Sequence, residues 1–321
     1  MHPAKSVIFF TTASGAGYGL LFWLGLYGSL GLLPAGFWFA FVAFGIGLGL
    51  VTAGLIASTF HLGHPERAWR ALSQWRTSWL SREGLAAIVT YVPVGLYGLA
   101  WLVDGPTPGW TAILGLLAAL GCLGTVVCTA MIYGSLKTIP AWHTAWTPTA
   151  YLVFAAMSGA VLLSLLGHVW RLPTVVAIDV TALIAIAAGA AVKYGYWRAI
   201  AHAAPVSTAE SATGLGTPAT DTTGKVRLID PPHTMDNYLL TEMGYRIARK
   251  HATRLRDVVW AAAFVLPLGC VFVALLAGGV SAIVFAALAT LSTGVGLAIE
   301  RWLFFAEAKH VVTLYYGERA A

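Results

Sequence analysis

Between residues 61 and 84 the sequence crowds groups able to move protons beside groups suited to a membrane surface. His61, His64, Glu66, Arg67, Arg70, Arg76, Arg82 and Glu83 share this stretch with Trp69, Trp75 and Trp79, and apolar runs flank it on both sides. A histidine titrates near neutrality, and a carboxylate beside it can pass a proton on. Such a pair suits a two-oxygen redox headgroup of the quinone type, which needs hydrogen-bond partners for its oxygens and a proton route to water. Ionisable groups at membrane depth are costly and tend to mark ion, proton or substrate paths. The plainer reading is an interfacial loop whose arginines meet lipid phosphates and whose tryptophans join an aromatic belt. From chemistry alone, the interfacial loop is the better of the two.

The elements that hold this stretch follow from composition. Hydrophobic residues make up 58% of the sequence and charged residues 10%, with a mean hydropathy of +0.77. A soluble domain carries roughly 25% charged residues, so a soluble enzyme is excluded. A spanning helix needs about 20 mostly apolar residues. Eight segments qualify: roughly 7–33, 37–60, 84–103, 110–132, 149–170, 174–196, 258–277 and 280–304. Pro34 with Gly36, Asp104 to Pro108, Pro140, Pro148 and Pro173 punctuate them, and the last two meet at Gly278-Gly279. The expected fold is an all-α polytopic bundle forming one membrane domain. The first run is longer than the ~7–15 apolar residues of a signal peptide and reads as a retained helix. Gly45, Gly47 and Gly49 offer spacings for close helix approach.

One segment departs from this pattern. Residues 205–224 are rich in Thr, Ser, Ala and Gly without an aromatic, which predicts a flexible linker within the sixth connection. After it, residues 236–257 regain helical spacing, with Arg246, Arg249, Lys250, Arg254 and Arg256 beside Tyr238, Leu239, Met243 and Ile247. A helix of this kind lies on anionic lipid or docks a partner.

Charge sets the orientation. With eight spans, the termini and the second, fourth and sixth connections share one side, which holds 18 of the 19 Lys and Arg; Arg171 alone is opposite. Removing the nine in 193–256 leaves nine against one. By the positive-inside rule, both termini and the long loop are cytoplasmic.

Cysteine and histidine say little for a bound metal. Cys122, Cys128 and Cys270 form no CxxC pair and read as small packing thiols. Haem b needs two converging axial ligands, yet none of the nine His sits mid-span. His61 and His168 fall at opposite sides, and His61 with His143 could meet only at the cytoplasmic surface.

The string HLGHPERAWRALSQWRTSWLSREG (61–84) resembles the signature of the DMSO reductase anchor-subunit family, the DmsC type. MIYGSLKTIPAWHTAWTP (131–148), TEMGYRIARKHATRLRD (241–257) and ERWLFFAEAKHVVTLYYG (300–317) agree with it, so the resemblance covers nearly the whole sequence. It implies an eight-helix anchor with no haem or iron–sulfur cluster of its own. Such an anchor holds a molybdopterin catalytic subunit and an iron–sulfur subunit, and exchanges electrons with ubiquinone or menaquinone. His64 and Glu83 match positions implicated in quinone handling, with Arg67 and Arg82 as weaker candidates. Some members reduce S- or N-oxides outside the membrane, while others, the SoeC type, serve a cytoplasmic sulfite dehydrogenase. The cytoplasmic placement of 61–84 favours the latter, in a bacterial inner membrane. A docking face of Arg70, Arg76, Lys137, Arg246, Arg249, Lys250 and Arg254 is expected to receive the iron–sulfur subunit. Nucleic acid is not an expected partner. A menaquinol-using DMSO or N-oxide reductase anchor is the alternative, and a secondary transporter a distant one, since that class needs broken helices and polar groups near mid-membrane. Asp179 is the main charge inside a predicted span.

Overall fold

A computed structural model describes residues 4–60, 64–105, 109–215, 226, 228–230 and 247–320. Its order is α1 (Lys5–Ser29), α2 (Phe37–Thr59), a 3-10 segment (Pro65–Gln74), α3 (Trp79–Asp104), α4 (Trp110–Gly134), α5 (Trp146–Val169) and α6 (Val175–His202). A short α7 (Ala209–Thr213), α8 (Ile247–Val259), α9 (Leu266–Leu276) and α10 (Gly279–Ala306) complete it. Among the described residues, eight helical stretches are long and apolar enough to cross a bilayer, the seventh running Ala252–Leu276 through α8 and α9. No strand occurs among them, only an isolated bridge between Thr208 and Ala320.

α1 is the hub of the bundle, packing on α2, α4 and α5, while α3 pairs with α4, α5 with α6, and α9 with α10. Lipid tails are as apolar as leucine, so helices in a bilayer associate by close fit, which favours small residues at the contacts. Three glycines of α1 make those contacts. An added Cβ on Gly17 would fall 2.6 Å from the Gly47 carbonyl of α2, one on Gly25 2.4 Å from the Gly115 carbonyl of α4, and one on Gly19 1.7 Å from the Ala155 carbonyl of α5. Of the three α2 glycines read as a packing motif, Gly47 alone faces a neighbour; Gly45 and Gly49 meet open space. Two residues along a helix is about 200° of rotation, so the three cannot share a face. The outward face of α3 carries Val92, Leu96, Leu99 and Val103, a lipid-facing stripe at helical spacing.

Several helices outrun their expected bounds. α3 begins at Trp79 rather than at 84, because the Ser78 hydroxyl accepts from the Ser81 N–H and caps its first turn. Arg82 and Glu83 are therefore helical, not in the preceding loop. α6 continues to His202 and α10 to Ala306. Within the seventh span a π turn, Trp260–Val265, precedes Pro267; a wider turn accommodates a residue that lacks an N–H and whose ring crowds the preceding carbonyls. In the segment predicted as a linker, 209–213 forms a single turn closed by reciprocal Thr208 and Ser211 hydrogen bonds. Residues 216–224 lie outside the described residues.

Candidate functional site

The polar residues at the α3 start divide between surface and interior. His64 is exposed at the head of the 3-10 segment, its Nδ1 3.0 Å from Glu66 Oε1. Arg67, also exposed, is 3.6 Å from the same oxygen. Arg82 turns back to close the connection, donating from Nε to the Trp75 carbonyl at 2.9 Å and from Nη2 to the Arg76 carbonyl at 2.7 Å. Its guanidinium also lies 4.3 Å from the Trp79 ring centroid. Two further arginine–tryptophan stacks, Arg70 on Trp69 and Arg76 on Trp75, line the same connection. Cation–π contacts hold these side chains at low entropic freedom while leaving their charge accessible.

Glu83 points the other way. It is 5% exposed, and the Thr129 hydroxyl of α4 lies 2.5 Å from its Oε1. The same hydroxyl lies 3.1 Å from the Thr125 carbonyl. One hydroxyl has one proton to donate. When Glu83 is ionised, Thr129 donates to it; when Glu83 is protonated, the carboxyl donates to Thr129, which then donates to the Thr125 carbonyl. The pair thus accommodates both protonation states without moving a side chain. No hydrogen bond, ion pair or ring contact joins Glu83 to His64 among the described residues, so the two predicted proton carriers do not form a direct pair.

A second buried group escaped sequence reasoning. Lys193 of α6 and Arg301 of α10 both engage Glu300, the arginine from Nε to Oε2 at 2.5 Å. Glu300 is 0% exposed and Lys193 1%. Aromatic rings complete the enclosure: Lys193 Nζ is 4.4 Å from the Tyr196 centroid and 4.6 Å from that of Trp197. The Arg301 guanidinium is 4.4 Å from Tyr151 and 4.7 Å from Phe304. Two cations on one carboxylate leave a net positive charge inside the bundle. Lys193 and Arg301 are thus enclosed rather than solvated at a loop, which corrects their use as surface charges; without them the side carrying the 61–84 connection still holds 16 of the 19.

The expected charge inside the sixth span, Asp179, is fully buried at the opposite end of the bundle. Ser164 donates to it at 2.5 Å and His168 Nε2 is 3.0 Å away, so it joins α5 to α6. His143 is exposed, its Nδ1 2.7 Å from the Gly134 carbonyl, while His61 lies outside the described residues. No group of three or more His, Cys, Asp or Glu side chains gathers into a metal-binding cluster among the described residues.

Of the expected docking face, Arg70, Arg76 and Lys137 are exposed at this end, and Arg254 is exposed on α8. Arg249 and Lys250 fall on α8, but their side chains, like all of Arg246, lie outside what is described. Arg256, two residues further along α8, pairs with Glu307 at 3.0 Å.

The fold and its buried polar groups define a polytopic membrane protein with ionisable side chains sunk into its helix bundle. The protein belongs to the DMSO reductase anchor subunit (DmsC) family, which matches residues 1–317. It is similar to the C subunit of the sulfite dehydrogenase of Allochromatium vinosum, 34% identical over 98% of this sequence and 99% of that protein. It also resembles two Escherichia coli K12 proteins over shorter lengths. One is the C chain of anaerobic dimethyl sulfoxide reductase, 31% identical over 42% of this sequence and 49% of that protein. The other is the anaerobic dimethyl sulfoxide reductase chain YnfH, 37% identical over 35% and 39%. The protein is therefore a membrane anchor subunit of a molybdoenzyme complex, and the transporter reading falls away.

Proposed function

We propose that the protein is the quinone-reactive anchor of a bacterial sulfite dehydrogenase, with its iron–sulfur and molybdopterin partners on the cytoplasmic side of the inner membrane. This reading is carried by end-to-end similarity to one subunit of a sulfite dehydrogenase; the likeness to dimethyl sulfoxide reductase chains is confined to less than half of the sequence. The balanced reaction is SO3(2−) + H2O + Q → SO4(2−) + QH2, in which sulfite is oxidised by two electrons and the quinone takes up two protons. Sulfur chemistry belongs to the catalytic partner. The anchor supplies the quinone-binding surface and the proton path. Glu83 is the buried proton carrier of the 61–84 stretch, served by Thr129 in either charge state. His64, exposed beside Glu66, exchanges protons with the cytoplasm, and Arg67 and Arg82 hold the connection positive.

The test is to purify the protein with its native neighbours, identify them, and measure sulfite-dependent reduction of ubiquinone and menaquinone analogues. Quinone-linked turnover with sulfite supports the assignment. Turnover only with S- or N-oxides, driven by menaquinol, would instead make the complex a reductase of the dimethyl sulfoxide type.

A further inference from the structure

α1 and α5 touch at Gly19 and Gly159, and an added Cβ on Gly159 would fall 2.0 Å from the Gly19 backbone. On the Lys5 side of this crossing a groove of about 460 Å³ opens between α1, α2, α5 and α10. Its walls are apolar, with Phe9, Ala13, Leu50 and Leu162 among them. Along α1 it runs from Lys5 to Ala16, about 16 Å at the helical rise, or roughly half the hydrocarbon thickness. Four hydroxyl side chains break its apolar lining, and those of Ser158 and Thr290 donate to carbonyls of their own helices. Thr12 Oγ1 and Thr293 Oγ1 are buried without a hydrogen-bond partner among the described residues, and Thr293 is 2% exposed.

Behind the groove lies a narrower cavity of about 30 Å³, sharing Thr12, Ala16 and Ser158 with it. That is room for about one or two waters. Tyr18, Thr129, Tyr151 and Arg301 line this cavity. Tyr151 and Arg301 face each other there, and Tyr18 faces Thr125, in contacts looser than a well-formed hydrogen bond. Buried polar groups are nearly always satisfied, so the two unpaired threonine hydroxyls mark a place made to meet something else.

We infer that a quinone enters from the lipid along this groove with its headgroup against Thr12 and Thr293, and that the cavity behind conducts protons to it from Glu83 through Thr129, Tyr18 and Tyr151. The inference rests on the proposed quinone reactivity and gives it a place. The groove's volume is within the roughly 300–1,000 Å³ range of small-molecule sites. An isoprenoid tail suits its apolar walls, and the carbonyl oxygens of the headgroup accept from the two threonine hydroxyls. A lipid acyl tail would fill the same walls but leave both hydroxyls unpaired, at a cost.

The experiment uses the purified complex in nanodiscs. Thr12→Val with Thr293→Val removes the two hydroxyls and keeps the side-chain shape. This pair should raise KM for a short-chain ubiquinone about tenfold while dye-linked sulfite oxidation stays at the wild-type rate. Tyr18→Phe removes a hydroxyl that lines the narrow cavity while keeping the ring, and should lower kcat with little change in KM. A photoreactive azidoquinone should label α1 and α10 in the wild-type complex. Wild-type kinetics in all variants, labelling confined to 64–78, or groove labelling by a photoreactive phospholipid that excess quinone does not displace would each overturn the groove while leaving the quinone-reactive anchor standing. A wild-type complex that neither turns over quinone nor takes the label would bring down both.

Discussion

Thr129 on α4 stands 2.5 Å from the Glu83 carboxylate on α3, one turn into a helix that opens directly onto the arginine-rich connection. This contact ties the sequence motif to the interior of the bundle. Glu83→Gln keeps the size and removes the exchangeable proton, so quinone-linked turnover should fall by about 10²-fold or more, the usual scale for a lost general acid or base. His64→Ala should fall less, because bulk water can replace an exposed proton carrier. Thr129→Val should fall between the two. In all three, dye-linked sulfite oxidation and complex assembly should persist. Wild-type quinone turnover in Glu83→Gln would remove the carboxylate from the proton path.

The Lys193–Glu300–Arg301 cluster predicts an asymmetric response to substitution. Glu300→Gln leaves two cations enclosed without a counter-charge, and breaking a buried ionic group in this way costs about 3–5 kcal/mol. Lys193→Met leaves Glu300 paired with Arg301 and should cost clearly less. Thermal melting of the detergent-solubilised complex reads the difference, and equal melting of the two variants would contradict the arrangement.

Glycine contacts give a similarly sharp contrast within one helix. Gly19→Ala forces a Cβ into the α5 backbone, whereas Gly15→Ala, one turn away, meets open space. The first should reduce the yield of folded protein severalfold and lower the melting temperature. The second should leave both unchanged.

Topology is open to direct test. Alkaline phosphatase and GFP fusions after Arg82, Pro108, Arg171 and Ala321 should report the first and last sites as cytoplasmic and the middle two as periplasmic, following the excess of positive charge. High phosphatase activity at Arg82 or Ala321 would invert the orientation.

Docking can be separated from lipid binding by charge reversal. Replacing Arg249, Lys250 and Arg254 by Glu should release the soluble partner subunits from washed membranes if this face receives the iron–sulfur subunit. If the charges only meet lipid phosphates, each worth about 1 kcal/mol near an anionic surface, the partners should stay bound. Arg256 serves as the internal control, because it is already committed to Glu307.

The eight spans were legible because a run of about 20 apolar residues is the length a bilayer demands and is seldom tolerated in water. The site was legible only in part. His64 and Glu83 stood out through their motif, yet nothing in their spacing showed that one faces water and the other the bundle. Ser78 carried that information: read as a helix cap, it puts Glu83 one turn into α3. Lys193, Glu300 and Arg301 were hidden for a different reason. Each lies close to an apparent span end, where a charge is ordinarily solvated, and only the meeting of α6 with α10 shows that they pair inside the bundle. The aromatic residues flanking Glu300 and Arg301 (Trp302, Phe304 and Phe305) were the available sign that α10 stays enclosed beyond them. The groove had no sequence signal at all, since its lining is drawn from four helices.

Glu83, Thr129, Tyr151, Lys193, Glu300 and Arg301 all belong to the half of the bundle that carries the 64–78 connection. On the proposed arrangement, sulfite oxidation releases its two protons on that side, and the quinone draws two from the same side through Glu83. Electrons also reach the quinone without crossing the hydrophobic core. The turnover is then electrically silent: it stores sulfite's reducing power in the quinol and adds nothing to the membrane potential, leaving that to whichever quinol oxidase or reductase follows.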